Sequence, residues 1–175
     1  MADDNIDFAM VRVGFRGTGT GSLNTDKYYE QNIRGAMRAG LETGVYFFAQ
    51  AVTVEEAIEE ADFVISLLDG LEIDGPVAYD WEMHDSTYRV YGTSPEMATA
   101  CAVAFCERIK DAGYTPMVYG GTYVTYMKYD QGALADYLSW YPEYKSEKSE
   151  KLCPTLVYHC LLYTSPSPRD ISGSR

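Results

Sequence analysis

Apolar positions along the chain follow two periods, and these divide it into alternating strands and helices. Residues 8–15 (FAMVRVGF), 45–50 (VYFFAQ), 76–82 (PVAYDWE) and 115–119 are short, near-continuous apolar runs. That pattern belongs to strands covered on both faces. Residues 26–39, 53–69 and 94–112 read as helices between them. Gly40 and Gly113 stand just past two of the helix ends, where a positive φ is cheap for glycine. Thr53 with Glu56 three residues on predicts a capping box, and Ser94-Pro95-Glu96 predicts a capped start with proline in the first turn. Ala39-Gly40-x4-Val45-Tyr46 is repeated in residue type and spacing by Ala112-Gly113-x4-Val118-Tyr119. Each is a helix end, a glycine stop and a strand start, so the chain predicts an alternating β/α fold with a parallel sheet. Further on, residues 132–137 read as a short helix and 138–141 as strand-like. A charged loop (KSEKSEK) and a last strand-like run at 155–158 follow.

The chain has 175 residues, which suits one domain. Apolar residues make up 46%, enough to bury a core, so a disordered chain is excluded. The formal charge of −12 argues against nucleic-acid binding through a basic surface. The longest fully apolar run, residues 100–106, falls far short of the ~20 residues a membrane span requires. Cys101, Cys106, Cys153 and Cys160 with His84 and His159 lack metal-ligand spacing, so no metal is expected. Cys101 and Cys106 read as small core residues. The Gly/Thr/Ser loop at 16–25 lacks the lysine of a phosphate loop. Sixteen tyrosines and two tryptophans are many for this length. Most such rings pack in a core, but flat amphipathic rings also suit carbohydrate.

The sharpest chemical feature is Asp80-Trp81-Glu82 at the C-terminal end of a predicted buried strand. Side chains alternate along a strand, so Asp80 and Glu82 share a face and Trp81 takes the other. Their Cα atoms lie ~6.6 Å apart, which lets two carboxyl groups flank one glycosidic bond. Two carboxylates crowded in a low dielectric raise at least one pKa, and a carboxyl kept protonated is what an acid catalyst requires. The competing reading is a pair that caps a strand and binds solvent or a cation. Position at the C-terminal strand end, where β/α barrels carry their sites, sets the two readings level.

Five segments together resemble a glycoside hydrolase family 25 lysozyme, an N-acetylmuramidase: IDFAMVRVGF, AGLETGVYFFAQAVTVEEAIEEADFVI, GPVAYDWEM, AGYTPMVYGGTY and LSWYPEY. The resemblance spans residues 6–159. It implies an α/β fold, an irregular TIM-like (β/α) barrel, here incomplete because the family's first and last strands have no counterpart. It implies hydrolysis of the β-1,4 bond between N-acetylmuramic acid and N-acetylglucosamine in bacterial peptidoglycan, by a monomer without metal or cofactor. By this resemblance Glu82 is the general acid, and Asp80 stabilises the developing cation or orients the acetamido group or a water. Tyr46, Tyr119 and Trp140 are candidate sugar contacts. The implied location is extracellular or at the cell wall, although MADDNIDFAM does not read as a secretory signal.

Residues 160–170 (CLLYTSPSPRD) resemble the translation of a transposase sequencing adaptor. The expected organisation is therefore a partial catalytic domain at 1–159 and a non-native tail at 160–175. Two other functions compete with the muramidase. One is an inactive wall-binding remnant or a fragment without function. The other is a family 18 chitinase-like hydrolase, whose motif also ends in Asp-Trp-Glu. That family carries aspartates at the alternating upstream positions, where this chain has Pro76 and Ala78.

Overall fold

The computed structural model describes residues 6–142. Within them lie, in order, β1 (Phe8–Arg16), β2 (Leu23–Thr25), α1 (Tyr29–Arg38), β3 (Glu42–Ala49), α2 (Val54–Leu67) and β4 (Val77–Trp81). Then follow α3 (Pro95–Asp111), β5 (Pro116–Tyr119), α4 (Thr122–Met127) and β6 (Leu138–Trp140). The fold is mixed α/β around one six-stranded sheet of order β2-β1-β3-β4-β5-β6. Only β2 runs antiparallel, paired to the end of β1; the other pairings are parallel. Among the described residues β2 and β6 form the two edges. The expected strand at 155–158, the tail at 160–175, Cys153, Cys160 and His159 lie outside the described residues.

One face of the sheet and two helices make the core. Val13, Val45, Phe47, Val77, Tyr79 and Trp81 alternate onto that face and are fully buried. The helices α2 and α3 lie side by side against it and contribute Ala57, Ala61, Val64, Cys101, Phe105, Cys106 and Ile109. Cys101 and Cys106 are free thiols inside this core. The Tyr79 and Phe105 rings meet at 4.8 Å between centroids, and Phe47 meets Phe63 edge-on at 6.0 Å. Gly40 and Gly113, at φ 73° and 90°, end α1 and α3 in the same left-handed turn, so the repeated helix-to-strand junction is one local solution used twice.

The helix starts follow their caps, with one change. Thr53 Oγ1 accepts the Glu56 N–H at 3.3 Å, and Ser94 Oγ accepts that of Met97 at 3.3 Å. The Glu56 carboxylate does not reach back to Thr53. It takes the Val52 N–H at 2.8 Å and faces Arg89 instead. Three further expectations are corrected. The run at 8–15 is a strand, but Phe8 and Arg12 are exposed, so it is not covered on both faces. The loop at 16–25 contains the short strand β2. Residues 132–137 are turns: Asp130 Oδ1 accepts the Gly132 N–H at 2.8 Å and closes a local side-chain turn. The helix in this region is α4, ten residues earlier, where Val124 and Thr125 are buried and Thr125 Oγ1 donates to the Gly120 carbonyl at 2.8 Å. Its β-branched sequence hides it from propensity.

Candidate active site

Parallel register sets the opposite face of the sheet. Phe48 of β3 and Tyr119 of β5 both pair with Asp80 of β4, and Trp140 of β6 pairs with Tyr119. Residues paired across parallel strands point to the same side. Asp80, Phe48, Tyr119 and Trp140 therefore share a face, joined by Tyr46 two residues before Phe48. Trp81 turns away into the core, where its indole N–H donates to the Ala51 carbonyl at 3.0 Å. That bond fixes the strand end on which the acidic pair stands.

Asp80 is only 7% exposed, and its Oδ1 has no hydrogen-bond partner among the described residues. Burial, reinforced by the adjacent Glu82 carboxylate, pushes the Asp80 carboxyl up to about 8. The Arg12 guanidinium pulls the other way. It is already paired with Asp26, Nη2 to Oδ2 at 2.8 Å, so its charge is partly spent. The Glu82 side chain lies nearer solvent, at 22% exposure, and its Oε2 meets His84 Nε2 at 2.7 Å. The His84 ring in turn stands edge-on to Tyr88 at 5.4 Å. The buried and exposed members of the carboxyl pair thus occupy different environments.

Three rings form a wall next to the pair. Trp140 stands edge-on to Tyr119 at 4.9 Å and to Tyr46 at 6.0 Å between centroids. All three are half-buried, so part of each ring remains open to solvent. Burial pushes the Tyr46 phenol pKa up and keeps it neutral. A groove of about 830 Å³ runs from Arg12 and Tyr46 along α1, past Gln31, Asn32 and Gly35. Among the described residues no group of three His, Cys, Asp or Glu side chains could hold a metal ion, and no helix is long and apolar enough to cross a membrane.

The five residues singled out from the sequence, Asp80, Glu82, Tyr46, Tyr119 and Trp140, are brought together on one face. Four neighbours were not anticipated. Arg12 carries a signal, a charge at an alternating position inside an apolar strand. His84 carries another, since it continues the Asp80-x-Glu82 alternation by one step. Gln50 and Arg89 hold the backbone behind Glu82. Gln50 Nε2 donates to the Glu82 carbonyl at 2.7 Å, and Arg89 Nη1 donates to the Gln50 carbonyl at 2.7 Å. Arg89 has no local pattern that marks it.

The arrangement has known counterparts. The sequence pattern of the glycosyl hydrolases of family 25 matches residues 3–165. Among solved structures, the spore cortex lytic enzyme SleM of Clostridium perfringens superimposes with a TM-score of 0.70 at 23% identity, over 87% of this chain and 51% of that one. The modular autolysin LytC of Streptococcus pneumoniae, solved with a synthetic peptidoglycan ligand, gives 0.69 at 22% identity, over 83% and 34%. A family GH25 lysozyme from Aspergillus fumigatus gives 0.63 at 22% identity, over 86% and 72%. The chain therefore spans about half the length of SleM and about a third of LytC. At these identities the likeness establishes the fold. No curated protein sequence matches the chain.

Proposed function

The chain belongs to the glycosyl hydrolases of family 25, and on that premise we propose that it is a lysozyme-type glycosidase acting on bacterial peptidoglycan. The bond cleaved is the β-1,4 linkage between N-acetylmuramic acid and N-acetylglucosamine, at the cell wall and outside the cell. The observation that carries the reading is the buried Asp80 against the more exposed Glu82, on one face with three aromatic rings. Near neutral pH the pair's proton rests on the buried Asp80, held there by desolvation and by the Glu82 charge beside it. Asp80 passes that proton to Glu82, the member nearer solvent, which delivers it to the glycosidic oxygen as the bond to the anomeric carbon breaks. Asp80 is then ionised while positive charge develops on the sugar, and it stabilises that charge or orients the group that attacks. Tyr46, Tyr119 and Trp140 hold sugar rings against their open edges and faces.

The same premise extends to architecture. We infer that the sheet is part of an irregular TIM-like barrel. Two observations support this. The parallel strands run in chain order, β1-β3-β4-β5-β6, without the reversal of a doubly wound sheet, and α2 and α3 lie against the same face.

The test is release of reducing ends from purified peptidoglycan by the full chain, with mass spectrometry to identify the new end. Muramic acid at the new reducing end is expected. Glu82→Gln should lower kcat by about 100-fold or more, the usual contribution of a positioned general acid. Equal turnover by the parent protein and Glu82→Gln would sink the assignment.

A further inference from the structure

Gln50 sits just past the end of β3, fully buried, and three of its four polar groups are engaged, while its side-chain Oε1 has no hydrogen-bond partner among the described residues. Its N–H donates to Glu60 Oε1 at 3.0 Å, its carbonyl accepts from Arg89 Nη1 at 2.7 Å, and its Nε2 donates to the Glu82 carbonyl at 2.7 Å. The amide orientation follows from this last contact, because the reverse would set two oxygens against each other.

Both ionic partners are themselves pinned. Arg16 is 4% exposed and donates from Nε to Glu60 Oε1 at 2.8 Å, from Nη2 to Glu59 at 2.7 Å and from Nη1 to the Gly21 carbonyl at 2.8 Å. Arg89 grips both oxygens of Glu56, at 2.9 and 2.8 Å, and its own N–H donates to the Thr18 carbonyl at 2.9 Å. The cluster thus draws on β1, the loop after it, α2 and the segment after β4. Its contact with the carboxyl-bearing strand end is the bond from Gln50 to Glu82.

Such a cluster is an expensive way to gain stability. Desolvating buried charges commonly offsets their attraction, and apolar replacements can be as stable. Burial pushes the Glu60 carboxyl up to about 7 even with Arg16 and the Gln50 N–H beside it. What the cluster does supply is a fixed peptide at Gln50 and, through it, a fixed backbone at Glu82. We propose that Gln50 is the positioning residue for Glu82. It sets the height of Glu82 at the strand end and so the spacing between the Glu82 and Asp80 carboxyl groups. His84, Tyr46 and Arg12 face that pair, and Glu56, Glu60, Arg16 and Arg89 surround Gln50. Misplacement of a reacting group by about 1 Å can cost about 100-fold in rate.

The inference rests on Glu82 being the acid, so the experiment reads two signals in the full chain. Gln50→Met keeps the volume and removes the amide. Its kcat on peptidoglycan should fall about tenfold to a hundredfold with KM within about twofold, and the pH–kcat profile should move. In parallel, carbon-13 NMR titration of the Asp80 carboxyl, which feels the Glu82 charge, should show an altered apparent pKa relative to the parent chain. Arg89→Gln, on the more exposed side of the cluster, should give the same signs and serves if Gln50→Met does not fold. A folded variant with the parent's titration overturns the inference, whether or not the parent turns over substrate. A parent chain without activity but with an altered variant titration overturns the functional reading and leaves the positioning role standing.

Discussion

Replacing Asp80 by asparagine should stabilise the protein while silencing it, and the gain should depend on pH. In the unfolded chain Asp80 ionises at its ordinary value of 3.8, whereas in the fold burial and Glu82 hold it up to about 8. Between those values the native state binds a proton that the unfolded state has lost, so native stability falls as pH rises. Below 3.8 both states are protonated and the penalty is absent. Above about 8 both are ionised and the penalty is complete. The interval is about four pH units, each worth ~1.4 kcal/mol, so the ceiling is ~6 kcal/mol. Relaxation and water penetration around the buried carboxylate bring the expected gain below that ceiling, to ~3 kcal/mol at pH 8. Asparagine keeps the shape and carries no charge to desolvate.

Urea unfolding of both proteins at 25 °C, at pH 4, 5, 6.5 and 8, measures this directly. The asparagine variant should match the parent within ~1 kcal/mol at pH 4 and exceed it by ~3 kcal/mol at pH 8. For a chain of this size the pH 8 difference corresponds to about 6–12 °C in Tm. A gain that is the same at pH 4 and pH 8, or a loss at pH 8, would refute the claim that Asp80 is a buried carboxyl strained by its neighbour.

Two further perturbations separate binding from folding. Trp140→Ala removes the ring that joins Tyr119 and Tyr46. Calorimetry with glycan oligomers in a Glu82→Gln background should show affinity about tenfold weaker, in line with the ~0.5–1.5 kcal/mol of such aromatic contacts, and unchanged affinity would remove Trp140 from the sugar site. Arg16→Ala leaves Glu60, fully buried, without its cation. The cost should be ~3–5 kcal/mol at pH 8 by urea unfolding and smaller at pH 5, where the Glu60 carboxyl can take up a proton.

Local sequence rules carried most of the scaffold. The strands β1, β3, β4 and β5 and the helices α1, α2 and α3 follow from apolar runs, caps and glycine stops, because each of those signals acts within a few residues. The failures have equally local causes. In α4, Thr122-Tyr123-Val124-Thr125-Tyr126-Met127 has the composition of a strand, and the helix stands because Val124 and Thr125 find burial. At residues 132–137 the Asp130 carboxylate accepts the Gly132 N–H in a side-chain turn, and the segment continues as turns instead of a helix. The capping acid Glu56 was drawn from Thr53 towards Arg89, a partner 33 residues away that no helix-start rule contains.

The candidate site divides along the same line. The pair Asp80 and Glu82 was legible because strand alternation places both on one face without knowledge of any other strand. The aromatic positions Tyr46, Tyr119 and Trp140 were legible singly, and the register made them neighbours. Gln50 was missed for a different reason. Its partner is 32 residues away, and only the pairing of β3 with β4 relates them. Once Phe48 is set opposite Asp80, two further steps on each strand set Gln50 opposite Glu82. A polar residue ending an apolar strand is then the expected place for a group that grips the neighbouring strand end, because backbone pairing stops there and the Glu82 carbonyl still needs a donor. In a parallel sheet whose chemistry stands at the strand ends, the residues that hold that chemistry are found by extending the register past the last ladder bond.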